Sequence, residues 1–202
     1  MKLFYSPGAC SLSPHIVLYE SGLAFHVALA STKTKKLADG SDYLAINPKG
    51  QVPALLLDKG ELLTEGPVIV QYIADQVPAS GLAPTAGTLP RYRLMEWLNY
   101  ITSELHKSFA PLFDPATQDD DKTRTRAKLL ERLSWVDGQL AGRDYLLGEP
   151  FSAADAYLYT VTRWTRYTGI DISGLANLSA YMVRVEARPA VQAALKAEGL
   201  LK

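Results

Sequence analysis

The 202-residue sequence predicts an α/β domain over residues 1–80 followed by an all-helical domain over residues 87–202. Three observations predict it. Before residue 76, short apolar runs alternate with helical patterns in the order β-α-β, a variable stretch, then β-β-α. Residues 77–90 carry Pro78, Gly81, Pro84, Gly87 and Pro90, which is a linker composition. Beyond them the apolar periodicity is helical, with no convincing strand.

Leu3-Phe4-Tyr5 reads as a short strand, ended by Ser6-Pro7-Gly8. A helix is predicted over 11–21, where Leu12, Ile16 and Tyr19 recur at helical spacing and Gly22 is a stop signal. Pro14 falls in its first turn, where a missing N–H costs little. Phe25, Val27 and Leu29 alternate with His26, Ala28 and Ala30 as in a strand. Residues 31–42 are polar, and a loop is expected there with a short helix around Leu37. Ala54 to Leu57, the Asp58-Lys59-Gly60 turn and Glu61 to Thr64 read as a hairpin. Val68 to Asp75 reads as a short helix after Gly66-Pro67.

In the second half, Leu94, Leu98, Ile101 and Leu105 step by four, three and four, which predicts one amphipathic helix over 91–110. A second is predicted over 123–140. Phe151-Ser152-Ala153-Ala154-Asp155 is a capping signal, with Ser152 as N-cap and Asp155 replying from the third helical position. A helix to about Tyr167 follows, then helices over 175–187 and 190–197.

Composition narrows the function. Lys plus Arg number 21 and Asp plus Glu 21, so the formal net charge is zero. That argues against a nucleic-acid partner, which needs a basic excess to neutralise phosphates. No apolar run approaches the ~18 residues of a membrane span, so no membrane partner is expected. The opening apolar run is too short for a secretory leader. The single cysteine, Cys10, forms no intrachain disulfide, which fits a reducing compartment, and a cytoplasmic location is the expectation. A lone Cys makes no zinc cluster, and no metal site is expected.

Several residues could carry chemistry. Cys10 sits where a strand turns into a helix, and the unpaired N–H groups of a helix start favour an anion. A drop of ~2 units from a thiol pKa of about 8.5 would raise the thiolate from ~3% to ~75% at pH 7. The alternative is a small hydrophobe filling the turn, with the Ser11 hydroxyl beside it. Val52-Pro53 precedes an apolar strand. It is either a plain edge proline or a cis bond that exposes the Val52 N–H and C=O to an extended peptide. Thr64-Glu65-Gly66-Pro67 opens a helix. The Gly66 N–H would suit a carboxylate and Glu65 an ammonium, or the pair is an ordinary helix start. Lys35 either pairs with a ligand carboxylate or is a solvated loop charge. Asn99, Ser103 and His106 form a polar stripe on a flank of the long helix. Arg163, Trp164 and Tyr167 form either a ligand wall or interface packing.

Taken together, these segments resemble the bacterial beta-class cytosolic glutathione transferases. The resemblance rests on Ser6-Pro7-Gly8-Ala9-Cys10-Ser11, Asn47-Pro48-Lys49-Gly50-Gln51-Val52-Pro53-Ala54-Leu55, Leu63-Thr64-Glu65-Gly66, Glu96-Trp97-Leu98-Asn99-Tyr100 with Glu104-Leu105-His106-Lys107, and Phe151 through Tyr157, in the expected order. It implies a thioredoxin-like N-terminal domain, an all-α C-terminal domain and a homodimer. It further implies that glutathione is a co-substrate with no permanently bound cofactor, and that the partner substrate is a hydrophobic electrophile. By the resemblance, the Val52–Pro53 bond is cis and Val52 pairs with the glutathione backbone. Glu65 and Gly66 hold the γ-glutamyl head and Lys35 approaches the glycyl carboxylate; Ser11, with its hydroxyl at the Cys10 turn, is a further candidate for glutathione binding. Cys10 sits beside the glutathione sulfur with His106 near it, and Asn99 and Ser103 reach the glutathione of the neighbouring subunit. One departure stands out: Gly66 occupies a position where many relatives outside this class have Ser. Tyr5 lies near the place where other classes keep a catalytic tyrosine, but the beta-class pattern assigns the sulfur chemistry to Cys10. The expected activity is conjugation of the glutathione thiol to electrophiles. The alternatives are thiol–disulfide exchange through a Cys10 mixed disulfide, or ligand binding without turnover.

Overall fold

The computed structural model describes residues 1–201. The chain divides into two compact units. One is Met1–Ala83 together with the chain from Arg188 onward, and the other is Pro84–Ala187. The sequence-based boundary at residue 87 comes close to this division. The assignment of everything to residue 202 to the helical domain does not hold, because the last helix joins the first unit.

In the first unit, β1 (Lys2–Tyr5), β2 (His26–Leu29), β3 (Ala54–Leu56) and β4 (Leu62–Thr64) form one sheet in the order β2-β1-β3-β4. β2 runs parallel to β1, and β3 and β4 run antiparallel to their neighbours. The strand period of two sorts the side chains onto the two faces. Phe4, registered with Ala28 and Ala54, faces a cluster that includes Ala30, Tyr43 and Val52. Leu3 and Leu55 point to the opposite face and are fully buried. On the edge strand β2 the alanines turn inward and the larger residues outward, with Val27 and Leu29 each 40% exposed. The predicted helix around Leu37 does not form. Leu37 and Lys36 instead make isolated bridges to Ala30 and Asp42, and the helical turn comes later, at Tyr43–Ala45.

α1 (Leu12–Ser21) packs against α2 (Gly66–Gln76) and α9 (Pro189–Ala197). Eight of its ten residues are buried, including Ser13, His15 and Ser21. A helix without a polar face has to be covered all round, and α9 covers it with Val191, Ala194 and Leu195. Arg188 grips Glu20 through Nε and Nη2, at 2.6 and 2.9 Å, at one end of this contact.

The second unit holds α3 (Leu89–Tyr100), α4 (Ala110–Phe113), α5 (Asp119–Gln139), α6 (Ala153–Thr162), α7 (Thr165–Thr168) and α8 (Ala176–Glu186). The helix predicted over 91–110 is not uniform. After α3 the chain runs through a π segment at Ile101–His106 and a 3-10 turn at Lys107–Phe109 before α4. The Lys107 N–H reaches back five residues to the Thr102 carbonyl. Leu94, Leu98, Ile101, Leu105 and Phe109 are all buried, so the apolar stripe survives the change of pitch. The helix expected to run to Tyr167 breaks at Arg163 and Trp164, between α6 and α7.

The capping pair forms at the start of α6. Asp155 Oδ2 accepts from the Ser152 N–H at 2.8 Å and from its hydroxyl at 2.6 Å. Asp155 Oδ1 accepts from the Leu146 N–H at 2.9 Å and the Tyr181 hydroxyl at 3.2 Å. A buried carboxylate with four donors ties α6, α8 and the loop before α6 together. Among the described residues, no helix is long and apolar enough to cross a membrane. Asp155→Ala, which strands those donors, is expected to lower the unfolding free energy by roughly 3 kcal/mol. Ser152→Ala is expected to cost about 1 kcal/mol, both measured by urea denaturation.

Candidate functional site

The Cys10 turn is built by its own backbone and by Ser11. The Ala9 N–H donates to the Ser6 carbonyl at 3.1 Å, and the Leu12 N–H to the Ala9 carbonyl at 3.0 Å. The Ser11 hydroxyl accepts from the Ser6 N–H at 3.1 Å and donates to the Ser6 carbonyl at 3.2 Å. Ser11 is fully buried. Its hydroxyl, bonded to both the N–H and the carbonyl of Ser6, closes the turn.

The segment that reaches Val52 is held from the loop side. Tyr43, also fully buried, donates its hydroxyl to the Gln51 carbonyl at 2.8 Å, and Asn47 Nδ2 donates to the same oxygen at 2.8 Å. Lys35 Nζ donates to the Gly50 carbonyl at 2.8 Å. Gly50 has φ +60°, and a Cβ there would come within 2.9 Å of Leu44 and 3.0 Å of the Lys35 stem, so a larger residue would be strained and would push on the Lys35 side chain. The Val52–Pro53 bond is cis. The Cys10 thiol donates to the Val52 carbonyl at 3.2 Å. Sequence reasoning missed Tyr43 and Asn47 as the residues that aim this edge. The available signal was the Tyr43-Leu44-Ala45-Ile46 run closing a polar stretch just before Asn47.

Glu65 lies at the start of α2 with φ 69° and ψ 111°. That is a left-handed backbone for a non-glycine residue, a conformation that clusters at functional sites. Its carboxylate takes Lys49 Nζ at 2.6 Å, and both side chains are exposed. Gly66 packs toward Pro53. A Cβ there would sit 3.7 Å from Pro53 Cγ, an ordinary contact, so space does not demand glycine. Cys10, Val52, Pro53, Glu65 and Gly66 thus converge, and Lys35 anchors the strand lead-in next to them. The Glu65 charge is close enough to act on the Cys10 thiol.

The electrostatics of Cys10 reverse the expectation. Burial pushes the thiol up to about 12; the backbone N–H groups of Cys10 and Ser11 pull it down and Glu65 raises it further. The helix start does stabilise the thiolate, but desolvation outweighs it. Cys10 is accordingly a protonated hydrogen-bond donor in the unliganded protein. Tyr5 is likewise kept a phenol, raised by burial and by the charge of Glu198.

His106, Asn99 and Ser103 belong to the second unit. His106 ends the π segment, and its Nδ1 lies 2.6 Å from the Tyr157 hydroxyl. Burial, aided by the Lys107 cation, pushes the imidazole down to about 4, so the ring is neutral near pH 7. We assign the Tyr157 proton as donated to Nδ1, which leaves Nε2 protonated. Trp164 stands edge-on to His106 at 4.9 Å and to Phe109 and Phe113 at 5.5 Å. Asn99 and Ser103 are exposed on the same helix flank, with the Ser103 hydroxyl bonded to the Asn99 carbonyl. Arg163 and Trp164 are buried while Tyr167 is 65% exposed, so these three do not form one wall. Among the described residues, no group of three His, Cys, Asp or Glu side chains could hold a metal ion.

With the thiol at about 12, roughly 10⁻⁴ of Cys10 is thiolate at pH 8, against roughly 10% for a free thiol near 9. Iodoacetamide is expected to label Cys10 in the folded protein about a thousandfold more slowly than in urea. Its rate should still rise about tenfold per pH unit up to pH 10, and a plateau between pH 7 and 9 would contradict the assignment.

Comparison with known proteins agrees with this geometry. Residues 8–76 match the glutathione S-transferase N-terminal domain, and residues 100–189 match the glutathione S-transferase C-terminal domain. The glutathione S-transferase GstA of Escherichia coli O157:H7 is 50% identical over 200 residues, covering 99% of this chain and 100% of that protein. A sphingomonad glutathione S-transferase solved in complex with glutathione is 52% identical, with a TM-score of 0.96 and all of both chains covered. The bacterial beta-class enzyme of Sphingomonas chungbukensis is 49% identical, with a TM-score of 0.96 and all of both chains covered. The thioredoxin-like sheet unit, the helical unit and these matches establish that the chain belongs to the glutathione S-transferase family and resembles its bacterial beta class.

Proposed function

We propose that the protein conjugates glutathione to electrophilic small molecules and that Cys10 tunes the glutathione sulfur without bonding to it. The observation that carries this reading is the protonated Cys10 thiol donating to the Val52 carbonyl, beside Glu65 with its left-handed backbone. An extended peptide that pairs with Val52 would supply its own N–H to that carbonyl. The Cys10 S–H is then released to donate to the incoming sulfur, which favours the glutathione thiolate without placing a second thiolate beside it. The thiolate attacks an electrophilic carbon, a carbon–sulfur bond forms, and the leaving group departs with its electron pair.

In this reading Glu65 takes the γ-glutamyl ammonium. Its present partner, Lys49, is held by an exposed ion pair of the kind worth under ~1 kcal/mol, so the exchange is cheap. Gly66 offers its N–H to the γ-glutamyl carboxylate, and Lys35 faces the glycyl carboxylate. His106 serves as a neutral donor through Nε2. Phe113, half exposed and backed by the buried rings of Trp164 and Phe109, is the apolar side chain proposed to meet the hydrophobic electrophile. Glutathione is the co-substrate, no cofactor is held permanently, and the reading includes a cytoplasmic location, where thiols are kept reduced.

The reading also includes a homodimer. Leu89, Tyr92 and Met95 lie exposed along α3, with Asn99 and Ser103 following at helical spacing. Leu89 and Tyr92 are 68% and 58% exposed, which leaves an apolar face for a second copy to cover. That arrangement would bring Asn99 and Ser103 toward the partner's glutathione.

Calorimetric titration with glutathione, together with turnover on an aryl halide, tests the reading. Cys10→Ala is expected to keep conjugation within about tenfold, whereas a glutathione-dependent disulfide exchange that vanishes in this variant would favour the mixed-disulfide alternative. Glu65→Gln is expected to raise the glutathione Kd by about tenfold or more. Sedimentation is expected to show a dimer at micromolar concentration, and a monomer would remove the proposed roles of Asn99 and Ser103.

A further inference from the structure

The Cys10 turn is braced from a part of the chain that the reaction does not use. Glu198 follows α9 and is 5% exposed, with its carboxylate fully buried. One oxygen, Oε2, accepts from the Gly8 N–H at 2.9 Å, two residues before Cys10. The other, Oε1, lies 2.9 Å from His15 Nδ1 in the helix that Cys10 opens. Among the described residues, His15 Nε2 has no hydrogen-bond partner, which places the ring proton on Nδ1, donating to the carboxylate. The His15 ring is locked among Tyr5, Tyr19 and Phe25, with centroids 5.6, 5.3 and 5.8 Å away. Leu200 lies under the turn, close enough that a Cβ on Gly8 would touch it at 3.6 Å.

A buried His–carboxylate pair suggests acid–base chemistry, but here both groups are sealed from solvent and no substrate atom can reach Nε2. The arrangement instead fixes geometry. Ser11 holds the inner side of the turn through Ser6, and Glu198 holds the outer side through Gly8. The two bonds share one carboxylate, so its loss removes the acceptor of the Gly8 N–H and of His15 Nδ1 together.

We propose that Glu198 is a positioning residue for Cys10, a clamp carried on the C-terminal tail that keeps the Ser6–Ser11 turn closed and the thiol aimed at the Val52 carbonyl. This rests on the reading of the Val52 edge as the glutathione site, and the test is therefore made on Cys10 itself.

The readout is the iodoacetamide rate of Cys10 at pH 8 in the full chain, relative to the rate in urea. Glu198→Ala is expected to raise the folded-state rate about tenfold or more, because the opened turn admits water to the thiol. Glu198→Gln, which keeps an acceptor for Gly8, is expected to stay within about threefold of wild type. Arg188→Ala is the control: it breaks the Glu20 pair at the other end of the α1–α9 contact and loosens α9 without touching the turn. It is expected to lower Tm and leave the Cys10 rate within about threefold. An unchanged rate in Glu198→Ala, or equal acceleration in Glu198→Ala and Arg188→Ala at matched Tm loss, overturns the clamp. Should Glu198→Ala fail to fold, hydrogen exchange at the Gly8 amide decides: protection like that of Leu12 supports the clamp, and exchange at the solvent rate overturns it. Faster labelling in Glu198→Ala with undiminished conjugation would support the clamp and count against a catalytic part for Cys10.

Discussion

The first unit depends on burying α1 from every side. The helix has apolar residues around most of its circumference, and its three buried polar residues, Ser13, His15 and Ser21, do not make a solvent face. The sheet and α2 cannot cover it alone. α9 supplies the remaining surface, and two side-chain contacts, the Arg188–Glu20 ion pair and the Glu198–His15 hydrogen bond, set its register. Since α1 begins one residue after the Cys10–Ser11 turn, whatever fixes the helix also fixes the Cys10 sulfur. Packing and chemistry are here one problem.

The same logic applies to the Val52 edge. The proposed peptide-binding role of this edge requires its backbone to be fixed before a peptide arrives. Tyr43, Asn47 and Lys35 do this by taking up the carbonyls of Gln51 and Gly50, the two residues ahead of Val52. Their bonds are made in the unliganded protein, so the cost of ordering the edge is met at folding. The left-handed backbone of Glu65 is the second such fixture, since it turns the head of α2 toward Pro53 and Cys10.

Much of this was legible in the sequence. The strands announced themselves by alternation, the hairpin by Asp58-Lys59-Gly60, and the helical half by its leucine steps. The Ser152–Asp155 cap could be read from four residues because capping is local. What resisted reading was non-local. The acidity of Cys10 depends on how deeply the turn is buried, and nothing in residues 6–11 reveals that depth. The Ser11 bonds to Ser6 had no signature either, because their partner is a backbone. The π segment left the Leu94–Phe109 stripe intact and so stayed hidden in the periodicity. The place of α9 could have been inferred, since a helix such as α1 with so little polar surface implies a cover that residues 1–80 do not contain.

The route of the chain through its two units has a consequence for biosynthesis. The helical unit is one uninterrupted stretch, Pro84–Ala187, and all its contacts become available once that stretch has left the ribosome. The first stretch of the sheet unit emerges before it but lacks α9 and Glu198 until the chain beyond Ala187 is translated. The Cys10 turn is therefore completed only after the helical unit, and a nascent chain carries the sulfur without the residues that brace it.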